Sequence, residues 1–204
     1  MTDTTDASME FGARRLPRPE SSDTVELEGL KRCTTTDLAD ATSAAGVCDA
    51  GLRPIDPRNA RFAGPAVTVA VPWGSQEARR AAMASAAAGD VLVVNAHGAS
   101  LFAVLGGMLA KSLKDKGLAG VVIDGYVRDP EEIQEFGLPV FCRGFTPVAA
   151  PKIGPGEVNV PIACAGVVVM PGDIVVADLD GVVILPKDCA ASVATKLRRS
   201  DGST

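Results

Sequence analysis

Aromatic side chains are nearly missing from this sequence. They make up 4% of it, with one tryptophan and one tyrosine. Any core must therefore be aliphatic, built mostly from Ala, Val, Leu and Ile within a hydrophobic content of 47%. Cysteine is sparse and unpatterned: Cys33, Cys48, Cys142, Cys164 and Cys189 form an odd set with no C-x-x-C spacing. That argues against a zinc site or a disulfide framework and fits a reducing cytoplasm. No stretch approaches the roughly 20 apolar residues that span a bilayer, so no membrane partner is expected. The opening MTDTTDASMEF is acidic and polar, unlike a secretory signal. Positive charge is also in short supply, with 20 Lys and Arg against 25 Asp and Glu, a net −5. The basic pairs Arg79-Arg80 and Arg198-Arg199 are too short to track a phosphate backbone, which excludes nucleic acid as an expected partner.

What is present fits one domain, since 204 residues with this apolar content can bury a core. Residues 1–26, rich in Thr, Ser, Asp, Pro and Glu, read as a flexible tail. Residues 27–199 form the domain and 200–204 a polar tail. Thr36 is the expected cap of a short helix ended by Gly46. Then Ala66–Val71 reads as a strand, Ser75–Ala88 as a helix, and Val91–Val94 as a fully apolar strand. Residues 100–116 read as a helical stretch interrupted by Gly106-Gly107, and Gly120–Ile123 as the next strand. Continuous apolar strands alternating with helices predict a parallel sheet covered on both faces. The second half is richer in strands: Val140–Arg143, Val167–Met170, Ile174–Ala177 and Gly181–Leu185. Pro130–Phe136 predicts one or two helical turns, and Asp188–Arg199 a final helix.

One local pattern carries chemistry. The apolar run Gly120–Val127 passes through the Gly125 turn and ends in Arg128-Asp129. A guanidinium grips a carboxylate or phosphate with two parallel hydrogen bonds. A neighbouring carboxylate is a hard oxygen ligand for a cation such as Mg²⁺. The alternative is a surface ion pair at a strand end.

In order along the chain stand Ala63-Gly64-Pro65-Ala66-Val67-Thr68-Val69, Gly89-Asp90-Val91-Leu92-Val93-Val94 and Gly106-Gly107-Met108-Leu109-Ala110. After them come Gly117 to Asp129, Pro139-Val140-Phe141, Val158-Asn159-Val160-Pro161, Pro171-Gly172-Asp173 and Asp178-Leu179-Asp180-Gly181-Val182-Val183. Over about residues 30–190 this series resembles the RraA-like family, which includes 4-hydroxy-4-methyl-2-oxoglutarate / 4-carboxy-4-hydroxy-2-oxoadipate aldolases and a regulator of ribonuclease E activity. The resemblance implies an α/β fold: a swivelling β/β/α domain with a parallel-rich central sheet flanked by helices and a β-rich C-terminal half. It also implies a homotrimer or pair of trimers with active sites between subunits. A divalent metal, Mg²⁺ or Mn²⁺, is implied as cofactor. The implied reactions are cleavage of 4-hydroxy-2-oxo acids to pyruvate through an enolate, and decarboxylation of oxaloacetate.

By the same resemblance Arg128 grips the 2-oxo acid, Asp129 anchors the metal, and the backbone amides of Met108 and Leu109 bind the substrate carboxylate. Gly106-Gly107 would let the backbone approach an anion closely, or mark a helix kink or packing contact. The family signature is an acid, 20 residues, then Arg-Asp. Counting back from Arg128 gives Gly107, where aldolase members carry an acid that helps hold water on the metal. A second family acid, from a neighbour's C-terminal helix, is also unmatched here, since the only acid in that region is Asp201. These departures weaken acid–base catalysis, which contributes about 10² to 10⁴ in rate. They keep open a non-catalytic, ribonuclease-binding ring, or a member with altered chemistry. Glu132 and Glu135 match acids that follow the motif in relatives and stand either as substitutes or as a solvated helix face. His97, the one histidine, reads as an acid–base group near a strand end or as a packing or surface residue. Asp124 reads as a cap on local amides, and Asp178/Asp180 as a metal pair or a hairpin turn.

Overall fold

The computed structural model describes residues 10–19, 24–71, 75–98, 101–151 and 156–201. In chain order its elements are α1 (Thr24–Leu30), α2 (Thr35–Thr42), β1 (Arg53–Pro54), β2 (Phe62–Ala70), α3 (Gln76–Ser85), β3 (Val91–Asn95), β4 (Ala103–Leu105) and α4 (Gly107–Asp115). These are followed by β5 (Gly120–Asp124), β6 (Tyr126–Val127), α5 (Pro130–Phe136), β7 (Val140–Cys142), β8 (Gly144–Phe145) and β9 (Glu157–Val158). The last are β10 (Ile162–Cys164), β11 (Val167–Val169), β12 (Ile174–Asp178), β13 (Gly181–Leu185) and α6 (Ala190–Asp201). Among the described residues no helix is long and apolar enough to cross a membrane.

The main sheet runs β1-β7-β5-β3-β2-β12-β13, with β9 added to the end of β2. Its centre is parallel, with Ala66 opposite Val91 and Val91 opposite Gly120. β12 and β13 extend it antiparallel, as does β1 at the opposite edge. Side chains alternate across each strand, which sorts the apolar residues into separate cores. Leu92, Val94, Val121 and Ile123 point to one face, where α3, α4 and α5 cover them with Ala78, Ala82, Ala110, Leu113 and Ile133. Val91, Val93 and Val122 point to the other, under the β10–β11 hairpin. A third cluster packs α1, α2 and α6 against Ile174, Val176, Val183 and Leu185. The α/β architecture, with its parallel centre and β-rich second half, is the one expected.

Local expectations fail where tertiary contacts override them. The helix near residue 36 is capped by Thr34, not Thr36: the Thr34 hydroxyl accepts from the Asp37 N–H at 3.1 Å, and Asp37 accepts from the Thr34 N–H at 3.2 Å. Residues 103–105 are strand, not helix. They pair in parallel with β6, and the Ala103 N–H donates to the Val148 carbonyl at 2.7 Å. An apolar run buried on both faces gives no period to tell helix from strand. Gly106-Gly107 therefore opens a helix rather than interrupting one.

Residues 10–19 fall in the range expected as a tail, yet they lie against the sheet. Arg15 bridges to Val158, Arg14 pairs with Glu157, and Arg18 grips the buried Asp90 with two bonds of 2.7 and 2.6 Å. Asp178 and Asp180 belong to the two-residue β12–β13 hairpin, in which Asp178 faces Gly181. Asp178 also caps α2 by accepting from the Thr35 N–H at 2.8 Å. Asp124 ties the strand ends together, accepting from Arg143 Nε and the Ala165 N–H, both at 2.7 Å.

With so few aromatic residues, the edge-to-face pair of Phe62 and Phe141 is the main ring contact in the aliphatic core, its centroids 5.9 Å apart at 73°. Phe141 is fully buried. Phe141→Ala is expected to cost about 3–5 kcal/mol, read as a lower denaturant midpoint with an unchanged slope.

Candidate active site

The site forms where the small parallel sheet β4-β6-β8 meets the start of α4. β6 leads out of the main sheet past Gly125, and the Arg128 N–H donates to the Leu105 carbonyl at 2.9 Å. This holds the Arg-Asp pair directly over Gly106-Gly107. Asp129 has left-handed backbone, with φ of 56°. That conformation costs most side chains roughly 1–2 kcal/mol and is tolerated best by Asp and Asn. It precedes Pro130, the first residue of α5. The Asp129 carboxylate reaches back across the turn, where its Oδ2 accepts from the Gly107 N–H at 3.0 Å and lies 3.3 Å from Arg128 Nε. The pair is an ion pair set over a helix start, with more than a third of each side chain exposed.

Gly106 and Gly107 make this approach possible. A Cβ on Gly106 would sit 2.8 Å from both Arg128 Nε and Asp129 Oδ2. A Cβ on Gly107 would overlap Glu132 Oε2. Glu132 belongs to α5, three residues after Asp129, so one turn of helix brings its side chain to the same place. Its carboxylate thus occupies the space that a side chain on residue 107 would fill. Glu132 therefore lies where the missing acid would be, while as an exposed residue it also keeps the solvated helix face expected of it. The feature readable in sequence was the spacing Arg128-Asp129-x-x-Glu132, weighed against a bare glycine 21 positions before Arg128. Glu135 is exposed and has no described contact with the site.

Met108 and Leu109 follow in the first turn of α4, where backbone N–H groups have no partner within the helix and the helix dipole favours an anion. Met108 is 84% exposed, so its apolar side chain stands at the mouth of the site. Beyond it opens a cavity of about 420 Å³ lined by Gly106, Met108, Arg128, Gln76, Arg79 and Arg80, among others. This volume is in the usual range for small-molecule sites, about 300–1,000 Å³. Arg79 and Arg80 had signalled only a short basic pair in sequence. The Arg79 guanidinium is held by the Ser75 carbonyl, 3.2 Å from Nε, and by the Val104 carbonyl. Burial, with Arg128 and Arg80 nearby, pushes its pKa below the usual arginine value. His97 is exposed at the end of β3, with φ of 54°, its N–H donating to Asn95 Oδ1 at 2.7 Å. It does not line this cavity, and neither do Asp129 and Glu132, which stand beside it at the Gly106-Gly107 turn.

A family model described as "RraA-like: Aldolase/RraA" matches residues 35–184. A 4-hydroxy-4-methyl-2-oxoglutarate aldolase of Thermus thermophilus is 39% identical over 153 residues, 75% of this chain and 92% of its own. Among solved structures, Streptomyces coelicolor RraAS2, described as an unusual member of the RNase ES inhibitor RraA family, superposes with a TM-score of 0.82 at 32% identity. It covers 90% of this chain and 96% of its own. An RNA-processing inhibitor RraA, also from Thermus, gives a TM-score of 0.70 at 37% identity, with 76% and 93% coverage.

The glycine pair makes a structural prediction independent of activity. Gly107→Ala is expected to displace the Glu132 carboxylate while changing stability by no more than about 1 kcal/mol, because alanine is the better helix residue. Gly106→Ala must shift both Arg128 and Asp129 and is expected to be the more destabilising change. Crystal structures and denaturant unfolding of the two variants check this. A Glu132 carboxylate unmoved in the Gly107→Ala structure would refute the shared-space argument.

Proposed function

The chain belongs to the RraA-like family, and from that premise we propose that it is a divalent-metal-dependent carbon–carbon lyase acting on small 2-oxo acids. The observation that carries this reading is the position of Glu132, beside Asp129 and Arg128 over the start of α4, where it restores an acid to a site that residue 107 cannot supply.

The donor set fits the cofactor. Asp129 and Glu132 offer hard carboxylate oxygens close to the Gly106-Gly107 turn. Among the described residues no group of three or more His, Cys, Asp or Glu could form a closed cage. One or two carboxylates, with substrate and water completing the shell, is the usual arrangement for Mg²⁺. When bound, such a cation polarises the 2-oxo carbonyl as a Lewis acid.

The chain's own groups do the rest. The Met108 and Leu109 amides receive the substrate carboxylate at the positive end of α4. Arg128 keeps its terminal nitrogens for the anion while Asp129 holds its Nε, so its charge offsets the negative charge that gathers on the 2-oxo oxygen in an enolate-like intermediate. Glu132 Oε2 takes the proton of the 4-hydroxyl as the carbon–carbon bond breaks and returns it to the enolate carbon of the product. Met108 limits water at the mouth of the cavity. The exposed apolar side chains Met108, Phe145 and Val148 support a trimer, or a pair of trimers, that covers this edge.

A second reading is a protein-binding ring that inhibits a ribonuclease, supported by the descriptions of the two solved RraA structures. The two readings predict different behaviour. The lyase is expected to release pyruvate from oxaloacetate and from 4-hydroxy-4-methyl-2-oxoglutarate with Mn²⁺, and to lose this activity on chelation. Glu132→Gln is expected to lower kcat by about 10² to 10⁴, and Arg128→Lys to lower kcat/KM by about 10² because the forked grip is lost. No turnover of either substrate, together with capture of ribonuclease E by the purified protein, would favour the ring. Sedimentation velocity is expected to show a trimer or hexamer, and a monomer at micromolar concentration would remove the subunit-interface part of the reading.

A further inference from the structure

The cavity has two charged walls. One is the start of α4 with Arg128, used above for the 2-oxo acid end of the substrate. The other is α3, which contributes Gln76, Arg79 and Arg80. Among the described residues that line it, none is acidic. Three arginines therefore line one small volume, and burial together with the nearby charges of Arg128 and Arg80 lowers the pKa of Arg79. The two arginines of α3 differ in freedom. Arg79 is half-buried and held to backbone carbonyls of Ser75 and Val104, so its charge is a fixed background. Arg80 is exposed, donates none of the described hydrogen bonds and lines the cavity. A ligand with one carboxylate would satisfy the α4 end and leave this second wall unpaired. A ligand with two would satisfy both.

We propose that Arg80 is a specificity residue that selects 2-oxo acids bearing a second carboxylate, gripping the end of the molecule opposite the one held by Arg128 and α4. The assignment rests on the cavity being the 2-oxo acid site, and it adds a residue and a reason for substrate choice. A planar guanidinium suits the task because it can bind the far carboxylate through two parallel hydrogen bonds.

Calorimetric titration of the full chain with Mn²⁺ present tests it without turnover. The probes are 2-oxoglutarate and 2-oxopentanoate, which share a five-carbon chain and differ in having a terminal carboxylate or a methyl group. The wild type is expected to prefer the dicarboxylate by about tenfold or more, as one charge-assisted hydrogen bond gives. Arg80→Ala is expected to bring the two ligands to near parity. Arg80→Lys is expected to fall between, because it keeps the charge and loses the fork. Equal affinities in the wild type, no binding of either ligand, or equal weakening of both by Arg80→Ala would overturn the assignment. Pyruvate release measured in parallel separates the two claims. Discrimination without turnover refutes the lyase reading and not Arg80, whereas turnover without discrimination refutes Arg80 alone.

Discussion

Negative groups gather over the start of α4 because its first amides have no helical acceptors and two glycines leave nothing in the way. This meeting of a bare helix terminus with side chains from a following turn organises the whole site. The Asp129 carboxylate bonds to the Gly107 N–H, Arg128 lies over Gly106, and Glu132 fills the space beside Gly107. Each of these close approaches would be blocked by a Cβ. The glycine at 107 is thus both the loss of one acid and the condition for another to arrive.

That arrangement depends on the sheet beneath it. Parallel strands β3 and β5 deliver their C-terminal ends to one side of the domain, where ligands of open α/β sheets gather. Asp124 locks the end of β5 to the β10–β11 hairpin through the Ala165 N–H and to the end of β7 through Arg143. From there β6 turns into the small parallel sheet, which fixes the height of Arg128 relative to α4. The strained backbone at Asp129 is sustained by this framework on one side and by Pro130 and α5 on the other. A floppy loop could not hold a carboxylate in the left-handed region against its conformational cost.

Family membership leaves room for both catalysis and ribonuclease binding, since the relatives include proteins described in each way. The distinction lies in a few side chains on a shared frame, and fold alone does not decide it. Here an acid stands over Gly107 although the signature position is glycine, and that is the physical ground for preferring catalysis. The cationic far wall adds a reason for small, doubly anionic ligands.

Strand and helix alternation was legible in the chain itself. The runs at Val91–Val94 and Gly120–Ile123 are too apolar to face water on either side, so a covered parallel sheet follows from them, and Arg128-Asp129 at the end of one marks the place of the site. The residues at 103–105 were not legible, because a short run buried on both faces has no period and only its pairing with β6 makes it a strand. The contribution of Glu132 was also hidden, although its type and spacing were visible. An acid on a helix is ordinarily solvated, and only the packing of α5 across α4 brings this carboxylate over Gly107. Arg79 and Arg80 lie about 50 residues before Arg128 in the chain, and it is the folding of α3 against the same sheet that turns them toward the same cavity. Local pattern and composition determined the kind of fold and one end of the site. Tertiary packing decided which distant side chains share its space, because contacts between elements are set by how faces bury together and not by distance along the chain.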